Sequence, residues 1–402
     1  MDDWESTPLG SVAKHSRGYS YSSSELKEAG EPFITLKTFE KGGGFRVDGV
    51  KSIEATVPEQ FRVSAGSVLI ANTDLTRAGD VVGVPAVVPK QFDNAVFSMD
   101  ATLFIPDVNA LDERFLALAL GTSESREFMR GNSAGSTVLH LDTSRLDQMP
   151  ILLPPLKEQK RIAEILDSLD QTIQATEQLI TKHRKIRQGL AHDLLHGPPS
   201  ENRATDRWKY CKLRRMGKIV GGGTPARERP EYWNGTIPWI TPSEVTAYSK
   251  KHIKETQDYI TELGLASSAA KLVPEDTLLI TSRASIGFCV LAGSPMTTNQ
   301  GFKNLIPHDE IDPDFLFHLG NTLSREMTRR ASGTTFLEIS AHDFGQIEIH
   351  LPPLKEQKRI AAILDSADRS IHENEAELAK LQRLRSGLAA DLLSGKVRTV
   401  AA

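Results

Sequence analysis

Cysteine is almost missing from this chain, whose 402 residues include only Cys211 and Cys289. Two cysteines cannot build a disulfide framework or a structural zinc site. Long apolar runs are missing as well, since none approaches the roughly 18 residues that a membrane-spanning helix needs. The first residues, MDDWESTPLG, are acidic and lack the apolar core of a secretory signal. We therefore expect a soluble, cytoplasmic protein without a membrane partner.

An excess of charge of one sign is also missing. The chain holds 48 Lys and Arg against 52 Asp and Glu, a formal net charge of -4. That balance excludes a protein that binds nucleic acid through bulk positive charge, but it permits a local basic patch. With 25% charged and 39% hydrophobic residues, the composition is that of a globular protein. At roughly 100–200 residues per domain, the length predicts two to four domains.

What the chain does contain is a long internal repeat. The sequence LPPLKEQKRIA occupies Leu153–Ala163 and recurs at Leu351–Ala361, an offset of 198 residues. Without gaps, the similarity continues to Gly197 in the first copy and Gly395 in the second. We interpret the chain as two variable domains, each followed by a repeated segment. The predicted divisions are 1–152, 153–197, a linker at 198–206, 207–350, 351–395 and a tail at 396–402.

Each repeated segment is predicted to form one helix of about 40 residues, or about 60 Å. Prolines precede it and a glycine ends it, as is typical of helices. Apolar residues recur at alternating spacings of four and three, the seam of a coiled coil. The predicted seam comprises Ile162, Leu166, Leu169, Ile173, Ile180, Leu190 and Leu194, and in the second copy Ile360, Leu364, Ile371, Leu378, Leu381, Leu388 and Leu392.

The two helices are predicted to pair with each other, because a tandem repeat supplies a partner of matched length at high effective concentration. The alternative is a coiled coil between two protein chains. Pseudo-twofold symmetry would make the intramolecular pair antiparallel. Thr176 and Asn374 lie in the seam, where we expect them to fix the register. Arg187 and Arg385 either fix the register too or extend their head groups out of the seam.

The variable domains mix short β-type runs with amphipathic helical stretches, which predicts an α+β fold for each. Glycine clusters at Gly42–Gly44 and Gly221–Gly223 predict loops. The whole chain is then two globular α+β domains joined by two long helices in an antiparallel intramolecular coiled coil. Predicted strands are Ser67–Ala71, Val81–Val88, Thr277–Thr281 and Phe288–Ala292, and predicted helices are Phe115–Leu120 and Phe315–Leu319.

Positive charge concentrates in the second variable domain. Arg207–Lys254 holds 11 Lys or Arg against 3 Asp or Glu, a local balance of +8, interleaved with aromatic, amide and hydroxyl side chains. Basic groups neutralise phosphate, and amides and hydroxyls read base edges. The alternative is a solvated charged surface over core tryptophans. Candidate nucleic-acid contacts are Lys212, Arg214, Arg215, Lys218, Thr224, Arg227, Arg229, Tyr232, Asn234, Thr241, Ser243, Arg283 and Lys303.

The first variable domain offers no comparable basic stretch. Its opening sixty residues hold 7 positive and 10 negative side chains. Candidate contacts in this domain rest on charge and hydrogen-bonding capacity alone. They are Lys37, Lys41, Arg46, Lys51, Asn72 and Arg77.

Familiar catalytic signatures do not occur. The sequence has no Walker A pattern, no G-x-G-x-x-G in a βαβ context and no amino-methyltransferase tetrad. Glu158–Lys160 and Glu356–Lys358 resemble half of a nuclease motif, but we expect both on a helix surface. His192 and His196 have metal-ligand spacing, yet the second repeat copy lacks both, so we expect no metal site. No constellation argues for a catalytic residue, although an enzyme with an unfamiliar site stays open.

The repeats LPPLKEQKRIAEILDSLDQTI and LPPLKEQKRIAAILDSADRSI closely resemble the conserved regions of DNA specificity subunits of type I restriction–modification systems. The helix ends GLAHDLLHG and GLAADLLSG resemble them too. Gly221–Val245, reading GGGTPARERPEYWNGTIPWITPSEV, is similar to a common start of the second variable domain in that family. Thr297–Pro307, reading TTNQGFKNLIP, resembles a later motif. The first variable domain departs from this pattern, so its contact residues are the least defined.

The resemblance implies a non-catalytic subunit with two target recognition domains, each reading one half of a bipartite sequence in double-stranded DNA. The paired helices would act as a spacer. Partners would be methyltransferase (modification) subunits, expected to number two, and restriction/translocase subunits. S-adenosylmethionine, ATP and Mg would be bound only by those partners. The alternative is a coiled-coil scaffold protein without a DNA-reading role.

Overall fold

The structure is a computed structural model that describes residues 4–195, 208–333 and 337–399. The predicted linker at 198–206 and the predicted helix end at Gly197 lie outside the described residues. Among the described helices, none combines the length and the apolar character that crossing a membrane would require.

The chain divides into two compact units. Unit 1 comprises residues 1–177 and 377–402, and unit 2 comprises residues 178–376. Both division points lie inside long helices, so each unit combines one variable segment with part of both helices.

Unit 1 has an α+β architecture. Its strands are β1 (Glu5–Pro8), β2 (Ala13–Arg17), β3 (Leu26–Lys27), β4 (Glu31–Ile34), β5 (Lys51–Ile53), β6 (Arg62–Val63), β7 (Val68–Ala71), β8 (Thr73–Asp74), β9 (Pro85–Val87), β10 (Ala95–Phe97), β11 (Ala101–Pro106), β12 (Ser133–Ala134), β13 (Leu139–Leu141) and β14 (Pro150–Leu153). Its helices are α1 (Glu113–Leu120), α2 (Ser123–Gly131), the first part of α3 (Leu156–Leu195) and the last part of α9 (Leu354–Leu393). The sheet orders are β1-β14, β3-β5-β4-β10-β6, β2-β11-β7-β9 and β12-β13-β8.

Unit 2 follows a related plan. Its strands are β15 (Lys209–Lys212), β16 (Gly217–Gly221), β17 (Trp233–Ile240), β18 (His252–Ile253), β19 (Asp258–Ile260), β20 (Leu278–Thr281), β21 (Cys289–Ala292), β22 (Thr297–Thr298), β23 (Phe302–Pro307) and β24 (Glu348–Leu351). Its helices are the last part of α3, then α4 (Pro242–Ala247), α5 (Glu262–Ala266), α6 (Pro313–Gly320), α7 (Ser324–Arg330), α8 (Ala341–Gly345) and the first part of α9. The sheet orders are β15-β24, β16-β23-β20-β21-β18 and β19-β17-β22.

Most predicted elements of the variable domains are confirmed, including the central strands β7 and β20 and the helices α1 and α6. The predicted strand Val81–Val88 is wrong over its first half. Gly83 has a φ of 73°, outside the β region, and the Asp74 carboxylate accepts hydrogen bonds from the amides of Val81 and Val82. Only β9 remains extended. Gly221 was expected in a loop, but it ends β16.

The long helices pack antiparallel inside each unit, as the repeat predicted. In unit 1, Arg385 of α9 donates to Asp170 of α3 at 2.9 and 3.0 Å. In unit 2, Arg187 of α3 donates to Asp368 of α9 at 2.8 and 3.1 Å. Later residues of one helix thus meet earlier residues of the other. The predicted seam residues are buried or half-buried throughout both helices.

The polar seam residues divide into two kinds. Thr176 donates to the Thr172 carbonyl, and Asn374 donates to the Ser370 carbonyl, so each bonds its own helix. Arg187 instead carries the cross-helix contact, together with its repeat copy Arg385. Of the two interpretations left open for the arginines, register fixing is the one that these ion pairs favour.

A buried glutamine explains why the motif PPLKEQKRIA recurs. In unit 1, the Gln159 amide nitrogen donates to the carbonyls of Ala110 (2.9 Å) and Pro154 (2.8 Å). Its oxygen accepts from the amide of Asp112, the residue that caps α1, at 2.9 Å. Gln159 is fully buried, so these bonds fix the start of α3 to the variable domain without competition from water.

Gln357 repeats the arrangement in unit 2. Its nitrogen donates to Glu310 (3.2 Å) and Pro352 (2.9 Å), and its oxygen accepts from the amide of Asp312 at 2.8 Å. Asp312 caps α6 as Asp112 caps α1. We call each set of three hydrogen bonds around Gln159 or Gln357 a glutamine clamp. The same clamp therefore attaches two different variable domains to equivalent helix starts.

The expected surface position of Glu158 is wrong. This carboxylate is fully buried, because the segment after α9 folds over it. Arg398 donates to it at 2.8 and 2.9 Å, and the Thr399 amide donates at 3.1 Å. The Arg398 hydrogen bonds hold the pKa of Glu158 below its ordinary value. Its repeat copy, Glu356, is half-buried and pairs with Arg359 of the same helix at 2.7 Å.

Unit 2 adds a polar network between α6 and the long helices. The fully buried His318 contacts Asp365 through Nε2 at 2.8 Å and Arg187 through Nδ1 at 3.2 Å. Lys251 donates to Asp365 at 2.6 Å and to Asp314 at 2.9 Å. Because a guanidinium only donates, Nδ1 must accept, and the ring is neutral with its proton on Nε2. Burial lowers the pKa of His318 below its ordinary value.

Candidate nucleic-acid interface

Two sequence motifs of the second variable domain meet in one place. The Gly223 amide donates to the Thr298 carbonyl at 2.9 Å, and the Thr224 hydroxyl donates to Gln300 at 2.6 Å. A side chain at Gly222 would lie 2.0 Å from the Asn299 carbonyl, so only glycine permits this approach. The loop after β16 and the loop after β22 therefore form one surface, on which Thr224 and Gln300 are exposed.

Arg227 extends from that surface over an aromatic support. Its guanidinium lies 3.9 Å from the ring centre of Trp233 and 5.0 Å from that of Trp239. It also donates to Asp258 at 2.8 Å. Stacking and the ion pair restrict its rotamers, while the side chain remains half exposed. An arginine held in this way can present its remaining donors to a guanine or a phosphate.

The tryptophans themselves support the alternative interpretation of core residues. Trp239 is 2% exposed and donates to the Gly223 carbonyl at 2.8 Å. Trp233 packs edge-on against it and donates to the Ala226 carbonyl at 3.1 Å. Both rings therefore shape the loop that carries Arg227, and the Arg227 guanidinium lies over the Trp233 ring.

The other candidate DNA contacts near this loop differ in their exposure and in whether their polar groups are already hydrogen-bonded. Asn234 is exposed and has a φ of 60°, and Arg229 is exposed beside Glu231 at 3.3 Å. Tyr232 is half-buried. Thr241 and Ser243 begin α4, where the Thr241 hydroxyl lies 2.7 Å from Glu244 in a capping box. That cap already uses the hydroxyl of Thr241.

The amine of Lys303 already has hydrogen-bond partners inside unit 2. Its side chain is 10% exposed, and its amine donates to Glu338 at 3.0 Å and to Ser282 at 3.2 Å. Arg283 is half-buried and forms a β-bridge with Glu338. Because breaking a buried charge pair is costly, we leave Lys303 out of the proposed contacts.

Strand β16 separates the basic stretch into two groups along the chain. Arg214 and Arg215 precede β16, whereas Gly222 and Thr224 follow it. Five extended residues separate these ends by roughly 16 Å. Lys212 belongs with the first group, and the exposed Lys218 lies on the strand itself. The candidates therefore fall into a loop group around Arg227 and a second group at the start of β16.

Candidates in unit 1 are scattered. Lys41 pairs with Asp80 at 2.8 Å, and Arg46 pairs with Asp48 at 2.9 Å. Lys37 is exposed and Lys51 is half-buried.

Asn72 lies between β7 and β8, and Arg77 lies in the loop after β8. Asn72 is 2% exposed, accepts from Thr102 at 2.8 Å and donates to the Met99 carbonyl. This internal role leaves Asn72 out of the proposed contacts. Arg77 is exposed and donates to the Ser136 carbonyl at 3.0 Å.

Sequence reasoning missed two arginines beside that loop. Arg126 and Arg130 lie four residues apart on α2, and Arg126 donates to the Asp80 carbonyl at 3.1 Å. Burial and the neighbouring Arg130 lower the pKa of Arg126. The Arg130 stem lies beside Gly79, where an added Cβ would come within 3.0 Å of the Arg130 Cδ. The i, i+4 spacing was a usable signal, but only the fold places both arginines beside Gly79 and Asp80, in the loop that carries Arg77. Within the described ranges, no group of three His, Cys, Asp or Glu is arranged to hold a metal ion.

Comparisons with known proteins agree with one another. The family described as "Type I restriction modification DNA specificity domain" matches residues 1–182 and again 205–383. The chain is 35% identical over 179 residues to the type I restriction enzyme MjaIX specificity subunit of Methanocaldococcus jannaschii, covering 44% of this chain and 41% of the relative. It is 34% identical over 168 residues to the EcoR124I/EcoR124II specificity subunit of Escherichia coli, covering 40% of each chain. The matches thus span about two fifths of those two relatives.

Solved structures give the same fold. The type I restriction-modification S subunit from M. genitalium superposes with a TM-score of 0.59 at 17% identity, covering 97% of this chain and 96% of that one. Since the family matches both variable domains and most of both repeats, this chain belongs to the type I restriction modification DNA specificity domain family.

Proposed function

We propose that this chain is the non-catalytic DNA specificity subunit of a type I restriction–modification complex. One observation carries the proposal: the Gln159 and Gln357 clamps hold two unlike domains on matched helical frames. Two repeated helices that carry two different variable domains suit the recognition of two different DNA half-sites. Each variable domain would read one half of a bipartite sequence in double-stranded DNA.

In unit 2, the loop group around Arg227 is the proposed reading surface. Thr224, Gln300 and Asn234 supply hydroxyl and amide groups beside the supported guanidinium. Such groups distinguish base edges in the major groove. In unit 1, the proposed surface surrounds Arg77.

The chemistry would belong to partner subunits. Methyltransferase subunits, for which we propose two copies, would bind S-adenosylmethionine, and restriction/translocase subunits would use ATP and Mg. The paired helices would set the spacing of the two half-sites. Four residues form about one helical turn and advance about 6 Å, nearly two base-pair steps, so helix length bears directly on the spacing.

Selection from a pool of random-sequence duplexes tests this proposal. The full chain, purified with its methyltransferase partner, should enrich sequences with two conserved blocks at a fixed separation. The methyltransferase partner alone is the control and should enrich none. Equal retention of all sequences, or no retention at moderate salt, would instead support a scaffold protein without a DNA-reading role.

A further inference from the structure

Unit 2 contains a basic cavity that the reading loops do not use. Its volume is about 700 Å³, and its lining includes Lys209, Lys212, Arg214 and Arg215. Two carboxylates, Glu310 and Glu348, also line it. Positive charge is therefore in excess, in a space large enough for a phosphate-bearing group.

The cations of the cavity are largely uncompensated. Glu348 accepts a hydrogen bond from the Tyr210 hydroxyl, and Lys212 donates to the amide oxygen of Gln346 at 2.5 Å. Within the described ranges, Arg214 and Arg215 form no ion pair, and both are exposed. Several unpaired cations around one cavity create a positive potential that favours an anionic ligand.

Unit 1 supplies an internal comparison. Leu153 pairs with Glu5 in the β1-β14 ladder, and its repeat copy Leu351 pairs with Lys209 in the β15-β24 ladder. The two ladders therefore have the same register, and Leu9 and Leu213 are buried alike just after them. By this register Lys209, Lys212, Arg214 and Arg215 stand where unit 1 has Glu5, Pro8, Gly10 and Ser11.

None of the four matched positions in unit 1 carries a positive charge. The shared scaffold thus folds without cations there, so their presence in unit 2 needs a reason other than stability. Leu354, the first residue of α9, and the preceding Pro353 also line the cavity, so the N-terminus of a long helix adds its partial positive charge.

We propose that this cavity is a phosphate-binding site, separate from the loop group around Arg227. Arg214 and Arg215 would hold the phosphate oxygens in two-pronged contacts, and Lys209 would add a point charge. The source that fits the proposed function, on which this step rests, is the DNA backbone. Phosphate contacts there would orient unit 2 without reading sequence. A free phosphate ester is the other source of the same chemistry.

The test compares two double variants of the full chain. Arg214→Gln with Arg215→Gln removes two charges from the cavity, whereas Arg369→Gln with Arg383→Gln removes two from exposed helix positions. Duplex binding is measured from low to moderate salt, with target and non-target sequences. The cavity variant should weaken both duplexes to a similar degree and lower the slope of log K against log salt by about 2. The control variant should leave the slope unchanged.

Calorimetric titration of the wild-type chain with pyrophosphate separates the two sources. Pyrophosphate binding that the cavity variant abolishes, together with an unchanged DNA salt slope, supports a site for a free phosphate ester. An unchanged slope without pyrophosphate binding overturns the phosphate site. A wild-type chain that binds no duplex contradicts the proposed function instead, and the pyrophosphate titration then decides the cavity by itself.

Discussion

Arg187 and Asp368 form a two-pronged ion pair that ties α3 to α9 inside unit 2. The Nε and Nη2 atoms donate to the two carboxylate oxygens at 2.8 and 3.1 Å. The repeat offset converts this pair into Arg385 and Asp170 of unit 1, which have the same geometry. The same arginine–aspartate ion pair thus occurs once in each unit, where it sets the register of the antiparallel helices.

The two pairs should differ in strength. Arg187 and Asp368 are 22% and 30% exposed, whereas Arg385 and Asp170 are 34% and 47% exposed. We expect a double-mutant cycle with alanine to give a coupling of about 1 kcal/mol for the first pair and about half of that for the second. Denaturant unfolding of the single and double variants provides the values. Equal couplings would show that burial does not govern these pairs.

Replacing the buried clamp glutamine should destabilise unit 2. Gln357→Leu leaves the Asp312 amide and the Glu310 carbonyl without their partner, at a cost of about 1–3 kcal/mol. Gln188→Leu, at an exposed position of α3, is the matched control and should change stability by less than about 0.5 kcal/mol. Urea unfolding measures both. If Gln357→Leu lowers the free energy of unfolding no more than the control does, the clamp does not stabilise unit 2.

The neutral His318 makes unit 2 sensitive to acid. Its pKa is lowered in the folded protein, mainly by burial, so the unfolded chain takes up a proton first as the pH falls. Stability should therefore decline as the pH drops through about 6.5, and the decline should stop once the folded ring is also protonated. The equivalent residue in α1 of unit 1 is Leu118, so leucine is the natural replacement. The variant His318→Leu should make stability depend less on pH between pH 5 and 8. Thermal unfolding across that range measures it, and an identical slope in the variant would refute it.

The stacking of Arg227 on Trp233 should contribute to the recognition of DNA sequence. Arg227→Lys keeps the charge and can keep the Asp258 pair, but it loses the planar group that stacks on Trp233. We expect discrimination at one base pair of one half-site to fall by about 1–3 kcal/mol. Competition binding with singly substituted duplexes measures this. Uniform weakening at every position would assign Arg227 to a phosphate instead.

The sequence was sufficient to predict the helical frame, because heptad spacing over more than four repeats leaves few structures that bury Ile162 and Leu166. It was not sufficient for groups whose environment comes from distant segments. Glu158 is buried only because Arg398 folds back onto it. Lys303 was a candidate for contact with DNA, but the fold pairs its amine with Glu338. The split of the basic stretch by β16 likewise depends on strand geometry rather than on composition.

The most direct test of the central claim is an exchange of one variable domain. Residues 1–152 are replaced by the corresponding segment of a relative, and the chain is expressed with the methyltransferase subunit proposed as its partner. Long-read sequencing then maps the methylated motif of the host DNA. The account predicts that one half of the bipartite motif changes while the other half and the spacing stay the same. A motif in which both halves change, or neither does, would contradict it.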